Sequence, residues 1–337
     1  MVRSQLRMTW PRQMLLAALA LGGAQSGRAE EAAQPGATQV ARWKDGKQAA
    51  FLLMFDDSSP THVKNVVPEL KKRGLTGTFY INPGAGHYKA SKDAWEKEFP
   101  AAGMEYANHS LTHTGARDVA HFDGELAACN EVIAKAFPDR KMPRLISFGK
   151  PGVKPEQWRI SDAELRELLA KHHLVDRPTF DGHGAAIHFK TGADMLKLVD
   201  RALAKGTMEC IIFHGVGGDW ISMPLPDFIA LLDGLAARKD QLWVTDHISA
   251  HQYETERSSA EVKVVEAGVK QVRLTLSCKA APEFYDLPLT LNTQVPAAWR
   301  QCQITQGGRK QTAAAQGVVQ YAAVPGGDEI VIQPLSP

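Results

Sequence analysis

From Ala49 to about Thr255, short apolar runs alternate with helix-period segments, and that alternation leaves few folds open to the chain. Ala49 to Phe55 (AAFLLMF) is a continuous apolar run, as in a strand buried on both faces. Thr78 to Ile81 is β-branched and aromatic, and Met104 to Ala107 and Leu145 to Phe148 are short strand-like runs. Met208 to His214 (MECIIFH) and Leu242 to Thr245 read as two more strands. Helices are expected over 60–72, 91–102, 122–137, 162–172, 194–205, 226–238 and 246–256. Ser161 and Glu164 form a capping box for the fourth, and Gly74 and Gly206 stop the first and fifth. Strands alternating with helices predict parallel α/β packing, and about seven repeats of the pattern fit a closed or nearly closed barrel better than an open sheet. The expected barrel spans residues 48–256.

The pattern changes after Thr255. Period-two segments at 262–265, 272–276, 287–291, 301–304, 318–322 and 329–332 are separated by turns such as Gly307-Gly308 and Pro325-Gly326-Gly327. Residues 258–337 are therefore expected to form a small antiparallel β domain, sandwich-like. Of the four cysteines, Cys129 and Cys210 read as small buried hydrophobes. Cys278 and Cys302 lie in the β domain and could pair there; no C-x-x-C spacing supports a thiolate zinc site.

At the other end, Met14 to Ala24 (MLLAALALGGA) is apolar over 11 residues, where a spanning helix needs roughly 20. Arg3, Arg7 and Arg12 precede it, and small residues follow as far as Gly27-Arg28-Ala29. That layout is a secretory signal peptide over residues 1–29, implying a secreted or periplasmic protein with no integral membrane segment after its removal. Residues 30–47 read as a leader. Removing residues 1–29 takes away four Arg and no acid, moving the formal charge from +2 to -2. The basic pI of 8.3 thus belongs to the targeting segment, and the remainder has no electrostatic footprint for nucleic acid.

Three short pieces carry chemistry. Asp56-Asp57 follows the first apolar strand directly, and two carboxylates there need solvent, a partner or a cation. At a strand terminus both can reach one cleft, so one could bind a metal while the other handles protons. Either Asp alone could instead cap a helix before Pro60. Asn108-His109-Ser110-Leu111-Thr112-His113 follows another strand, and its two His face the same way if the stretch is a helical turn. Phe213-His214-Gly215 ends the strand at 208–213. Barrel sites lie at the C-terminal ends of strands, where these three pieces would meet. One Asp and two His would give three ligands and leave a position open for water, the layout of a catalytic zinc site. Asp56 and His214 would then be available as base and acid for hydrolysis of an amide or ester.

The order Phe-Asp-Asp, then His-Ser-x-x-His, then an apolar strand ending in His resembles the polysaccharide deacetylases of carbohydrate esterase family 4, over about residues 48–254. The resemblance implies a distorted (β/α) barrel with seven strands. It implies Asp56 as general base, Asp57, His109 and His113 as metal ligands, and His214 as general acid. It also implies a divalent metal, with zinc expected, and an acetylated carbohydrate or polysaccharide as substrate. Most directly it implies N-deacetylation; an O-acetyl esterase or a carbohydrate-binding protein without catalysis are the other readings. Two departures stand out. Ser58 replaces the family's Gly after the Asp pair. The Arg-x-Pro segment that orients the base is absent, with Phe148-Gly-Lys-Pro-Gly152 in its place, which makes Lys150 the candidate substitute. Asp181, His183, Asp219 and Trp220 lie on expected loops of the same face; His183, Asp219 and Trp220 are candidate substrate contacts, and Trp220 offers an indole face to a sugar ring. Protein recovered from the periplasm or medium is expected to begin near Glu30 by intact mass, and an intact Met1 terminus there would overturn the export reading.

Overall fold

The computed structural model describes residues 34–178 and 184–335; the expected signal peptide and the candidates Asp181 and His183 lie outside the described residues. After β1 (Thr38–Val40) come the barrel strands β2 (Ala49–Asp56), β3 (Thr78–Ile81), β4 (Glu105–Asn108), β5 (Ile146–Phe148), β6 (Leu174–Asp176), β7 (Met208–Phe213) and β8 (Leu242–Thr245). They are parallel, in the order β6-β5-β4-β3-β2-β7, with β8 also on β2. The intervening helices are α1 (Val67–Arg73), α2 (Gly86–Ala90), α3 (Phe99–Ala101), α4 (Val119–Ala136), α5 (Asp162–Lys171), α6 (Ala185–His188), α7 (Gly192–Lys205), α8 (Leu225–Ala237) and α9 (His247–Ser258). This is the expected distorted (β/α) barrel. Six of its strands were legible in the sequence; the seventh, β6, has only the residues Leu-Val-Asp, too few to show a period.

The strand β2 organises the barrel, and all eight of its residues are buried. One edge pairs with β7 from Ala50↔Met208 to Phe55↔Phe213. The other edge is shared, with β8 on residues 49–52 and β3 on 54–56. Side chains alternate as a strand requires: Phe51, Leu53 and Phe55 join the large core under the helices, while Leu52 and Met54 fill the barrel interior with Tyr80, Ala107, Cys210 and Ala250. Phe55 is in register with Phe79 and Phe213, and its ring stacks on theirs at 4.7 and 5.4 Å. This three-strand aromatic row lies one residue before Asp56, Tyr80 and His214, so it forms the floor beneath the site.

Local signals set the helix ends. The capping box forms as expected: Ser161 Oγ accepts from the Glu164 N–H and Glu164 Oε2 accepts from the Ser161 N–H. Gly74 and Gly206 take left-handed conformations that end α1 and α7. Among the described residues, no helix is long and apolar enough to cross a membrane.

The C-terminal part comprises β9 (Glu261–Ala267), β10 (Val272–Ser277), β11 (Leu289–Gln294), β12 (Gln301–Gln306), β13 (Arg309–Ala314), β14 (Val318–Ala323) and β15 (Ile330–Pro334). A five-stranded sheet, β13-β12-β15-β10-β9, and a three-stranded sheet, β1-β11-β14, enclose one apolar core. The sandwich expectation therefore holds, with one correction. The stretch 30–47 is not simply a leader: Thr38–Val40 pairs antiparallel with β11 and completes the smaller sheet. Trp43 is buried and its Nε1–H donates to the Gly206 carbonyl, and the Tyr253 hydroxyl of α9 donates to the Ala41 carbonyl. Cys278 and Cys302, considered as a bridge, are both free thiols. Cys278 follows β10 and Cys302 lies on β12, and β15 runs between these strands.

Glu256 of α9 is buried close to Asp286 and Leu287, in the chain leading to β11. Burial, then the charge of Asp286, raises its carboxyl from 4.5 to about 8, and neither carboxylate oxygen has a hydrogen-bond partner among the described residues. A group whose pKa is higher folded than unfolded takes up a proton on folding. Its contribution to stability is full below the unfolded pKa and is lost as pH rises through the folded one. The thermal midpoint of the wild type is therefore expected to fall more steeply than that of Glu256→Gln between pH 4.5 and about 8; parallel pH profiles for the two proteins would refute this.

Candidate active site

Every candidate residue that the structure describes, apart from Lys150, borders one cleft at the C-terminal ends of the barrel strands. Asp56 closes β2 and is 3% exposed. The next two residues are left-handed, Asp57 at φ 71 and Ser58 at φ 49. Side chains on a continuing strand would point to opposite faces; this turn brings both carboxylates to the same His. His109 Nε2 is 3.9 Å from Asp56 Oδ2 and 3.4 Å from Asp57 Oδ1. Ser58 tolerates a position suited to Gly, and its Oγ accepts from the Asn82 N–H, tying the turn to the end of β3.

The two His meet, but not on a helical turn. Residues 109–114 form an irregular turn, left-handed at Ser110 (φ 61) and His113 (φ 59), in which the His113 N–H donates to Ser110 Oγ. The local hydroxyl bond replaces the helical bond that i,i+4 spacing suggested. The His109 and His113 ring centroids are 4.8 Å apart. Asp57, His109 and His113 each offer one donor atom, all within 4.8 Å of one another.

This donor set fits a divalent ion. Donors on ~2.1 Å bonds at tetrahedral angles lie about 3.4 Å apart. Asp57 Oδ1 lies 3.4 Å from His109 Nε2 and 3.3 Å from His113 Nε2. His109 Nδ1 is 2.6 Å from the Gly149 carbonyl, a contact that places the proton on Nδ1 and aims the Nε2 lone pair at the cleft. Burial, then the neighbouring His109, lowers the pKa of His113, which favours the neutral form that coordinates.

The side chain that bonds the Asp56 carboxylate is Arg177, not Lys150. Arg177 follows β6, and its Nη1 and Nη2 donate to Asp56 Oδ1 and Oδ2 at 2.6 and 2.9 Å. Its guanidinium also lies over the Tyr80 ring at 4.4 Å. Burial pushes the Asp56 carboxyl up, but the charge and hydrogen bonds of Arg177 override that and hold it far below the ordinary carboxylate range. Lys150 is exposed, with its Nζ 4.2 Å from the centroid of the Trp158 ring. The sequence did hold a signal for Arg177. It stands directly before Pro178, which biases it towards an extended conformation, but the strand it ends was too short to read.

His214 lies across from the carboxylates, its Nε2 4.0 Å from Asp56 Oδ2 and 3.8 Å from Asp57 Oδ2. The segment 61–66 holds the loop after it. His62 Nε2 bonds the His214 carbonyl at 2.6 Å, Thr61 Oγ1 accepts from the Val216 N–H and Asn65 donates to the Val216 carbonyl. Asp219 is part of the same clamp, because its Oδ2 accepts from the Thr61 N–H at 2.7 Å. It still borders the cleft, but its bonded role is to shape the loop that presents Trp220, which is 70% exposed. An open groove of about 590 Å³ runs past Asp57 and His113, with Asn82, His87, Asp219 and Trp220 among its walls.

Residues 44–152 match the family model described as polysaccharide deacetylase. That span holds Asp56, Asp57, His109 and His113, while Arg177 and His214 lie beyond it. A curated relative, a gellan lyase from Bacillus sp, is 21% identical over 303 residues, covering 82% of this chain and 12% of its own length. The chain thus spans only about an eighth of that relative. Among solved structures, a family 4 carbohydrate esterase from Streptomyces lividans is 22% identical, with a TM-score of 0.43 over 59% of this chain and 92% of its own. A family 4 acetyl xylan esterase from Clostridium thermocellum, solved with a cobalt ion, is 20% identical, with a TM-score of 0.40 over 58% of this chain and 87% of its own. The matched segment, residues 44–152, carries the Asp pair and the His pair whose pattern first suggested the family.

Proposed function

We propose that this protein is an exported, metal-dependent hydrolase that removes acetyl groups, preferentially N-acetyl, from a carbohydrate polymer. The observation that carries the reading is the convergence of Asp57, His109 and His113 beside a second carboxylate, Asp56, that Arg177 keeps ionised. Export rests on the N-terminal sequence pattern alone. The two-nitrogen, one-oxygen donor set suits zinc, and a divalent ion there would polarise the acetyl carbonyl and acidify water.

The residues of the chain divide the remaining work. Asp56 accepts a proton from the attacking water as the new C–O bond forms. A carboxylate held so acidic is a weak base, so the transfer needs water that is itself acidified. Arg177 fixes both oxygens of Asp56 and so the direction in which it accepts the proton. His214, on the far side of the cleft, donates a proton to the sugar amine as the C–N bond breaks and acetate leaves. The exposed indole of Trp220 and the groove beneath it suit stacking of a sugar ring next to the reacting one.

Two measurements test this reading. The purified wild type is expected to bind one equivalent of zinc by elemental analysis. Asp57→Asn and His113→Ala should lose it, and Asp56→Asn should keep it. A wild type that holds no divalent metal would sink the mechanism. In acetate-release assays on N- and O-acetylated glycans, Asp56→Asn and Arg177→Met should lose roughly 10²–10⁴-fold in turnover, the usual worth of a positioned base, while Lys150→Met stays near wild type. An Asp56→Asn enzyme at wild-type rate would remove Asp56 as base, and release from O-acetyl glycans alone would replace the N-acetyl preference.

A further inference from the structure

The turn that carries His109 and His113 is strained and cannot hold its shape unaided. Ser110 and His113 are left-handed, at φ 61 and 59, which disfavours a non-glycine residue by about 1–2 kcal/mol each. Such a segment persists only where its surroundings over-determine it. Much of the holding comes from one element, α4. Glu125 on that helix is buried, and its Oε2 accepts from both the Thr112 N–H (2.8 Å) and the Thr112 hydroxyl (2.9 Å). Thr112 is the residue immediately before His113. The next residue of α4, Leu126, offers its carbonyl to Asn108 Nδ2 at 3.0 Å, and Asn130 Oδ1 accepts from the same nitrogen at 2.8 Å. Asn108 in turn receives the Ser110 N–H on its Oδ1 at 2.8 Å. The α4 side of the turn is thus pinned at both ends, at Ser110 through Asn108 and at Thr112 directly through Glu125.

We propose that Glu125 is a positioning residue for the metal centre: its buried carboxylate fixes Thr112 so that His113 Nε2 meets Asp57 and His109 at coordinating distance. This rests on the reading of Asp57, His109 and His113 as a metal site. Glu125 touches none of the three donor atoms. It acts through the backbone, so its loss leaves the ligand set complete in composition and loose in geometry. Outer partners that orient metal ligands are typically worth 10–100-fold in metal affinity.

The test measures zinc affinity by competition with a chromophoric chelator, together with the visible absorption of the cobalt-substituted protein. It compares the wild type with Glu125→Ala, Glu125→Gln and Glu131→Ala, an exposed site on the same helix whose partner is Lys135. Glu125→Ala is expected to bind zinc 10–100-fold more weakly and to shift the cobalt spectrum. Glu125→Gln keeps an oxygen acceptor towards Thr112 and should restore most of the affinity, and Glu131→Ala should match the wild type. Wild-type affinity and spectrum in Glu125→Ala would overturn the proposal, as would a Gln variant as weak as the Ala variant. A wild type that binds no zinc would overturn the metal-site reading instead, so the two failures are distinguishable. Thermal unfolding of the metal-free proteins separates loss of ligand geometry from loss of fold. If Glu125→Ala does not fold, Thr112→Val, which deletes only the hydroxyl donor, should weaken zinc binding several-fold, and unchanged affinity there would overturn the proposal.

Discussion

The bidentate pairing of Arg177 with Asp56 is the interaction on which the site depends. Asp56 ends a strand with every residue buried, and a second carboxylate follows it directly. Two adjacent anions repel each other, and Asp56 has in addition lost its water. Arg177 supplies two charge-assisted hydrogen bonds in a planar fork, and its own guanidinium is steadied over Tyr80. Breaking such a buried pair is typically worth about 3–5 kcal/mol because the remaining charge stays uncompensated. The pairing also divides the labour of the two acids. Asp56 has both oxygens bonded to Arg177 and cannot readily turn to an ion, whereas Asp57 Oδ1 lies close to both His nitrogens. The same interaction stabilises the cleft and sets Asp56 apart from Asp57.

A second regularity is that each functional loop is held by side chains of a neighbouring segment. The His109–His113 turn is pinned by Asn108, Glu125 and Asn130. The loop after His214 is held by Thr61, His62 and Asn65, with Asp219 answering from the loop. Beneath both lies the aromatic row of Phe79, Phe55 and Phe213, which sets the relative height of the strand ends. Barrel strands thus supply the coarse placement of the residues. Side-chain hydrogen bonds to the loop backbone supply the final few tenths of an ångström, which is the scale on which ligand and proton-transfer distances matter.

The sandwich and the barrel are bound by chain threading as well as by surface contact. The first strand of the smaller sheet comes from residues before the barrel, and β11 and β14 of that sheet come from residues after it. The barrel is therefore an excursion between two parts of the sandwich. The helix α9 closes the excursion: its Tyr253 hydroxyl donates to the Ala41 carbonyl on one side and accepts from the Thr290 N–H on the other. A terminal β domain was visible from period-two patterning, but its dependence on Thr38–Val40 was not. Three residues in a polar stretch carry no periodicity, and only their partner β11 makes them a strand.

The layered α/β pattern, the change to β structure after α9, and the five residues on which chemistry was placed could all be read from the amino-acid order alone. Those conclusions were legible because they rest on local quantities: hydrophobic period, capping residues such as Ser161 and Glu164, and donor types at short spacing. How those residues meet was set by the folded chain. It turned Asp57 to the side of Asp56, brought His113 beside His109 through a left-handed turn rather than a helical one, and set Arg177 rather than Lys150 against Asp56. It also gave Asp219 a part in holding its loop. Each of these outcomes is a contact between segments far apart in the chain. Arg177 and Asp56 are separated by four intervening strands, β3 to β6, and no local pattern encodes which buried charge will answer another. Pairing of that kind is selected by the cost of leaving either ion alone in the folded core, a quantity that exists only once the core has formed.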